Sequence, residues 1–122
     1  MMYTVFRLDC MNSRISIHEL GAYLQMFPFF AYDGPDKGVA DRVSCTVATE
    51  DAWDDHLSSI ERFLGGSSEL FEWAKFHGVE MCFDVAIEPD DFNGIVGRFN
   101  MPHELLKSIG QTEIDVTISV YR

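Results

Sequence analysis

Val79-Glu80-Met81-Cys82-Phe83-Asp84-Val85-Ala86-Ile87 is the stretch whose reading decides the fold. Val79, Met81, Phe83, Val85 and Ile87 fall on one phase of a two-residue period, and Glu80, Cys82, Asp84 and Ala86 on the other. A strand reads this way when one face packs on a core and the other looks outward. Residues 113–121 repeat it, with Ile114, Val116, Ile118 and Val120 alternating with Glu113, Asp115, Thr117, Ser119 and Tyr121. Two such strands imply a sheet with one apolar side and one polar, partly acidic side.

Working outward, Tyr3 to Cys10 reads as a first strand, with Thr4, Phe6 and Leu8 on one face and Val5 and Arg7 on the other. Ser16 and Glu19 form a capping box for a helix whose apolar stripe is Ile17, Leu20, Tyr23, Leu24 and Phe27, and Pro28 ends it. Arg42 to Ala48 is a second strand, with Val43, Cys45 and Val47 inward. Thr49 is the expected N-cap of the next helix, and Glu50, Asp51, Asp54 and Asp55 crowd its first turn, where the helix dipole favours carboxylates. Trp53, Leu57, Ile60 and Leu64 mark its buried stripe, and Gly65-Gly66 breaks it. Ser67 or Ser68 restarts a helix carrying Leu70, Phe71, Trp73, Ala74 and Phe76 to a C-cap at Gly78. After a loop from Glu88, Asn100 caps a short helix from Met101 that Gly110 closes, and the last strand follows.

The order is therefore β-α-β-α-α-β-α-β. The fold class expected is α+β: a four-stranded sheet with helices on one face, a ferredoxin-like variant built of two β-α-β halves. A short repeat supports the halves, because Ile17-His18-Glu19-Leu20 and Pro102-His103-Glu104-Leu105 open the first and last helices.

At 122 residues, 47% of them hydrophobic and ten of them Phe, the chain has material for one ordinary core, and a single domain over 1–122 is expected. Twenty acidic residues against nine basic ones leave a net charge of -11. Such a surface repels phosphate backbones and anionic membranes, so nucleic acid and membrane are not expected partners. A basic protein partner suits it, and solubility alone also accounts for it. Cys10, Cys45 and Cys82 are an odd, widely spaced set with no C-x-x-C, which points to free thiols in a reducing cytoplasm. The N-terminus lacks the basic-then-apolar plan of a signal peptide, and no apolar run approaches the ~18 residues of a membrane span.

Chemistry-bearing patterns fail one by one. His18, His56, His77 and His103 form no H-E-x-x-H and read as surface or capping histidines. Asp90-Asp91-Phe92-Asn93-Gly94 resembles a calcium loop, but alignment on Gly94 puts Pro89 and Asn100 at the first and last ligand positions. Gly34-Pro35-Asp36-Lys37-Gly38 lacks the P-loop spacing, and no serine sits in a nucleophile elbow. No catalytic residue, metal site or cofactor is assigned.

What remains is the outward sheet face: Glu80, Asp84, Glu113 and Asp115, with Arg7 as counter-charge. Like charges on adjacent strands cost stability, so the cluster points to a cationic partner, to a shared proton, or to a solvated face that Arg7 and water relieve. Phe29, Phe30 and Tyr32, in the loop after the first helix, either fold back to close the core or form an exposed recognition patch.

Tyr3-Thr4-Val5-Phe6, Ser16-Ile17-His18-Glu19-Leu20, residues 56–64, Phe76-His77-Gly78-Val79 and Ile118-Ser119-Val120-Tyr121 carry a family resemblance. In element pattern the chain resembles a family of small bacterial domains of unknown function; a Trp-Gly-Asp-like stretch in that family's long loop has no counterpart here. Small acidic proteins of this sort are similar to toxin-immunity proteins, which occupy a toxin's basic surface. The resemblance implies a non-enzymatic binding protein, an immunity or inhibitor protein for a basic partner; on the residues' own reading Glu80, Asp84, Glu113 and Asp115 would supply its charge and Phe29, Phe30 and Tyr32 its hydrophobic anchors. The alternative is a small-molecule-binding or regulatory domain that dimerises through its open sheet face; a monomer or a homodimer fits either.

Overall fold

Strand β1 (Met2–Asp9) and strand β3 (Glu80–Ile87) run antiparallel down the middle of the sheet in the computed structural model, which describes residues 1–27, 30, 32, 34–88 and 100–120. Strand β2 (Arg42–Ala48) flanks β1 antiparallel, and β4 (Asp115–Val120) flanks β3 parallel, giving the order β2-β1-β3-β4. Helices α1 (Ile17–Leu24), α2 (Trp53–Gly66), α3 (Ser68–His77) and α4 (His103–Gln111) complete the expected order. The α+β class and the element sequence stand as read. The two halves differ in sense: β1 and β2 are antiparallel, β3 and β4 parallel.

All four helices feed one core. Leu20 and Leu24, Leu57, Ile60 and Phe63, Leu70, Phe71 and Ala74, and Leu105 and Ile109 join Phe6, Leu8, Met81 and Phe83 in a single buried cluster. The even residues of β1 and the odd residues of β3 share a face because Phe6 pairs with Phe83 and Leu8 with Met81. Phe6 is fully buried, and its ring lies 5.0 Å from Phe63, 5.4 Å from Phe83, 5.8 Å from Phe71 and 6.2 Å from Phe30.

Local departures from the sequence reading have local causes. A bulge in β2 takes Val47 out of register: Val5 pairs with Thr46 and Thr4 with Ala48, so Ala48 rather than Val47 is buried. Thr49 does not cap α2; Ala52 occupies that position, and only Asp54 and Asp55 of the acidic run enter the first turn. Gly65 and Gly66 end α2 from inside it, since helical φ/ψ is open to glycine and the break falls at Ser67. Pro102, not Asn100, precedes the first turn of α4. Ser16 does cap α1, its hydroxyl accepting the Glu19 N–H at 3.2 Å. His56 is fully buried rather than a surface histidine. The Pro28 stop, Phe29, the 89–99 loop and Tyr121 lie outside the described residues.

Truncating Phe6 removes the ring common to all these contacts, so Phe6→Ala is expected to cost about 3–5 kcal/mol in urea unfolding. Phe76, 72% exposed on α3, is the control: Phe76→Ala should stay within about 0.5 kcal/mol of wild type.

Candidate functional site

Two helices deliver the chain into the two parallel strands by the same turn. Gly78 ends α3 in the left-handed region (φ 73°), with Gly78 N–H on the Lys75 carbonyl and Val79 N–H on the Ala74 carbonyl. Glu113 ends α4 likewise (φ 60°), with Glu113 N–H on Gly110 and Ile114 N–H on Ile109. Both are Schellman ends, each followed by a buried apolar residue, Val79 or Ile114, and then by an exposed acid, Glu80 or Asp115. Gly is the usual residue at the left-handed position; glutamate there costs roughly 1 kcal/mol. Glu113 is the one non-glycine residue with positive φ among the described residues.

The two turns lie side by side and enclose a hollow of about 220 Å³ lined by Lys75, Gly78, Val79, Glu80, Met81, Glu113 and Asp115. Three of the four carboxylates singled out in the sequence thus converge. Lys75 reaches Glu72 at 3.3 Å, and no described cation pairs with Glu80, Glu113 or Asp115. Among the described residues no cluster of His, Cys, Asp and Glu has metal-holding geometry, so the three acids are arranged as an open anionic rim.

Asp84, the fourth, is elsewhere. It is only 4% exposed: Oδ2 accepts from Arg7 Nη1 at 2.7 Å and Oδ1 from Ser119 Oγ at 2.8 Å. Its side chain ties β3 to both neighbours instead of facing solvent, which corrects its placement on an open acidic face. The aromatic loop also turns inward. Phe30 is 3% exposed against Phe6, and Tyr32 packs over Gly21, whose missing Cβ leaves room for the phenol. Among the described residues an exposed aromatic surface lies on α3, where Trp73 stacks on Tyr23 at 3.8 Å and adjoins His77, and exposed Phe76 packs edge-on to His77.

One buried constellation has the outline of a catalytic pair. His56 Nε2 lies 2.7 Å from Thr4 Oγ1, and its Nδ1 lies 2.8 Å from the Glu50 carbonyl. A carbonyl only accepts, so Nδ1 carries a proton, and in the neutral ring Nε2 accepts from Thr4. Both side chains are fully buried, and the set serves to satisfy polar groups beneath α2. Beside it the Ser59 hydroxyl donates to the Glu50 carboxylate, the main reason that carboxyl is held below its ordinary range. Burial, with Asp41 and Asp9 nearby, pushes the Cys10 thiol up, away from the nucleophilic thiolate. A larger open groove of about 530 Å³ runs between α2 and α4 over Leu64 and Leu105, with exposed Glu61 and Glu104 at its sides.

No family model, curated protein or solved structure matches the chain.

Two outcomes separate framework from rim. Asp84→Ala strands a half-buried Arg7 and is expected to cost about 2–3 kcal/mol in chemical denaturation, whereas Asp115→Asn should cost less than about 0.5 kcal/mol. Glu50's folded value is depressed, so its contribution is present above the ordinary carboxylate range and lost as pH falls through the folded value. In Ser59→Ala the pH-dependent part of the stability deficit should be full at neutral pH and vanish in acid; a deficit constant with pH would deny the Glu50 link.

Proposed function

We propose that this chain is a non-enzymatic acidic binding protein that engages a basic protein partner, in the manner of a bacterial toxin-immunity or inhibitor protein. Glu113 carries the reading. A glutamate occupies a turn position where glycine is the low-cost choice, and it lines a hollow with Glu80 and Asp115 whose one cation, Lys75, pairs with Glu72. Strained residues of this kind are kept where the side chain is used. The hollow admits a lysine or arginine head group, while the net charge of -11 speeds encounter with a cationic surface. No disulfide joins Cys10, Cys45 and Cys82, which suits a reducing cytoplasm. Among the described residues no helix is long and apolar enough to cross a membrane.

The test uses the tagged chain as bait in lysate, with Glu80→Lys, Asp115→Lys and Glu113→Gly baits alongside. Wild type should retain one stoichiometric basic protein at low salt and release it as salt rises. The two lysine variants, folded by circular dichroism, should lose it. Glu113→Gly should bind more weakly while gaining about 1 kcal/mol of stability. Equal capture by all four baits would remove the acidic hollow from the account.

A further inference from the structure

Strand β4 is the outer strand beyond β3, and no described residue pairs with its far edge. Val116, Ile118 and Val120 share the helix-bearing side with Phe83, Val85 and Ile87, their partners in register. Yet the β4 residues are 37%, 64% and 59% exposed, while their β3 partners are at most 4%. Proteins usually blunt such an edge with a bulge, a lysine, a proline or a covering loop. Strand β2, the other edge, does so: it carries the Val47 bulge, and Asp36 of the preceding loop holds Arg42 Nε at 2.7 Å and Ser44 Oγ at 2.6 Å. Among the described residues strand β4 has none of these over Asp115–Val120.

We propose that β4 pairs antiparallel with β4 of a second copy of this chain, about a two-fold axis through Ile118, to make one continuous sheet. The strand is self-complementary in that register. Ile118 faces its own copy, Val116 faces Val120, and Thr117 faces Ser119, so apolar meets apolar and hydroxyl meets hydroxyl. Charge selects the same register. Asp115 is the one ionised side chain of β4, and centring on Ile118 sets the two copies of it six residues apart along the strand, about 20 Å. That exceeds the screening length of about 8 Å at physiological salt. Centring on Val116 would bring them within about 7 Å and leave Val120 overhanging.

Two copies each carrying a net charge of -11 repel. Salt screens that repulsion, so this association tightens as salt rises, the reverse of the partner binding proposed above. The two readings therefore fail independently.

Sedimentation velocity of the purified full chain, from dilute to concentrated and at low and high salt, tests the proposal. Wild type should show a concentration-dependent dimer that grows with salt. Ile118→Lys, placing like charges face to face on the axis, should weaken dimerisation roughly tenfold or more with an unchanged circular dichroism spectrum. Ile118→Cys, a small change at an exposed position, should cross-link copy to copy under mild oxidation beyond the wild-type background, and Asp115→Cys should not. This pair decides the matter should the lysine variant fail to fold. A wild-type chain monomeric throughout, a dimer indifferent to Ile118→Lys, or equal cross-linking from positions 115 and 118 would overturn the proposal.

Discussion

The side chain of Phe6 is the constraint on which the rest of the structure depends. It projects from a central strand, is fully buried, and touches rings from α2, α3, β3 and the loop at Phe30. Aromatic pairs in tilted and edge contact have narrow geometric optima. Placing Phe63, Phe71 and Phe83 around one ring therefore fixes two helices and the β1–β3 register together. A slip of one residue would turn every core side chain of a strand to the opposite face. Because Phe6 must meet Phe83, Arg7 stands opposite Cys82 and within diagonal reach of Asp84. The polar tie across β1, β3 and β4 follows from the apolar one.

That dependence explains what the sequence could and could not disclose. Alternation over 79–87 gives the side to which each residue belongs, and those sides are right. It does not give depth. On an inner strand an outward position is hemmed by both neighbours, so Asp84 and Ala86 are buried although Glu80, near the strand's start, is open. Strand order, which converts a row of acids into either a patch or a scattered set, is a long-range property with no local sequence marker. Tyr32 against Gly21 and Phe30 against Phe6 are likewise contacts between distant segments, and an aromatic-rich loop reads the same whether it closes a core or faces solvent.

Glycine marked a helix end at Gly78 but not at Gly65, Gly66 or Gly110, which lie inside their helices, so Gly110 does not close α4 as expected. Gly78 announced the end of α3, but the equivalent turn after α4 carries glutamate, and nothing in Thr112-Glu113-Ile114 signals a left-handed residue. His56 was hidden for a similar reason: beside a run of aspartates it reads as surface, and only the fold brings Thr4 and the Glu50 carbonyl to its two nitrogens. Local propensity fails at Glu113 and His56 in opposite senses. His56 is fully satisfied and sealed, which is framework. Glu113 is strained and exposed, which is the combination expected where a side chain is kept for its chemistry.

Strand β4 joins the two surfaces argued above. It begins with Asp115 in the acidic hollow and continues into the apolar row of Val116, Ile118 and Val120. On the two proposals the ends would respond to salt in opposite directions, since one surface would recruit by charge and the other would overcome it. In the two-fold dimer we infer, antiparallel pairing carries the two hollows to opposite ends of the joined strands, about 20 Å apart at Asp115. Of the hollow's lining only Asp115 belongs to β4, at its first position; the other residues come from α3, β3 and the Gly78 and Glu113 turns. A second copy would then add a second hollow of the same charge at a fixed spacing, and a cationic surface broad enough to span both would gain from bivalence without any new contact. In the inferred dimer, the geometry of one short edge strand would set the spacing of the two hollows.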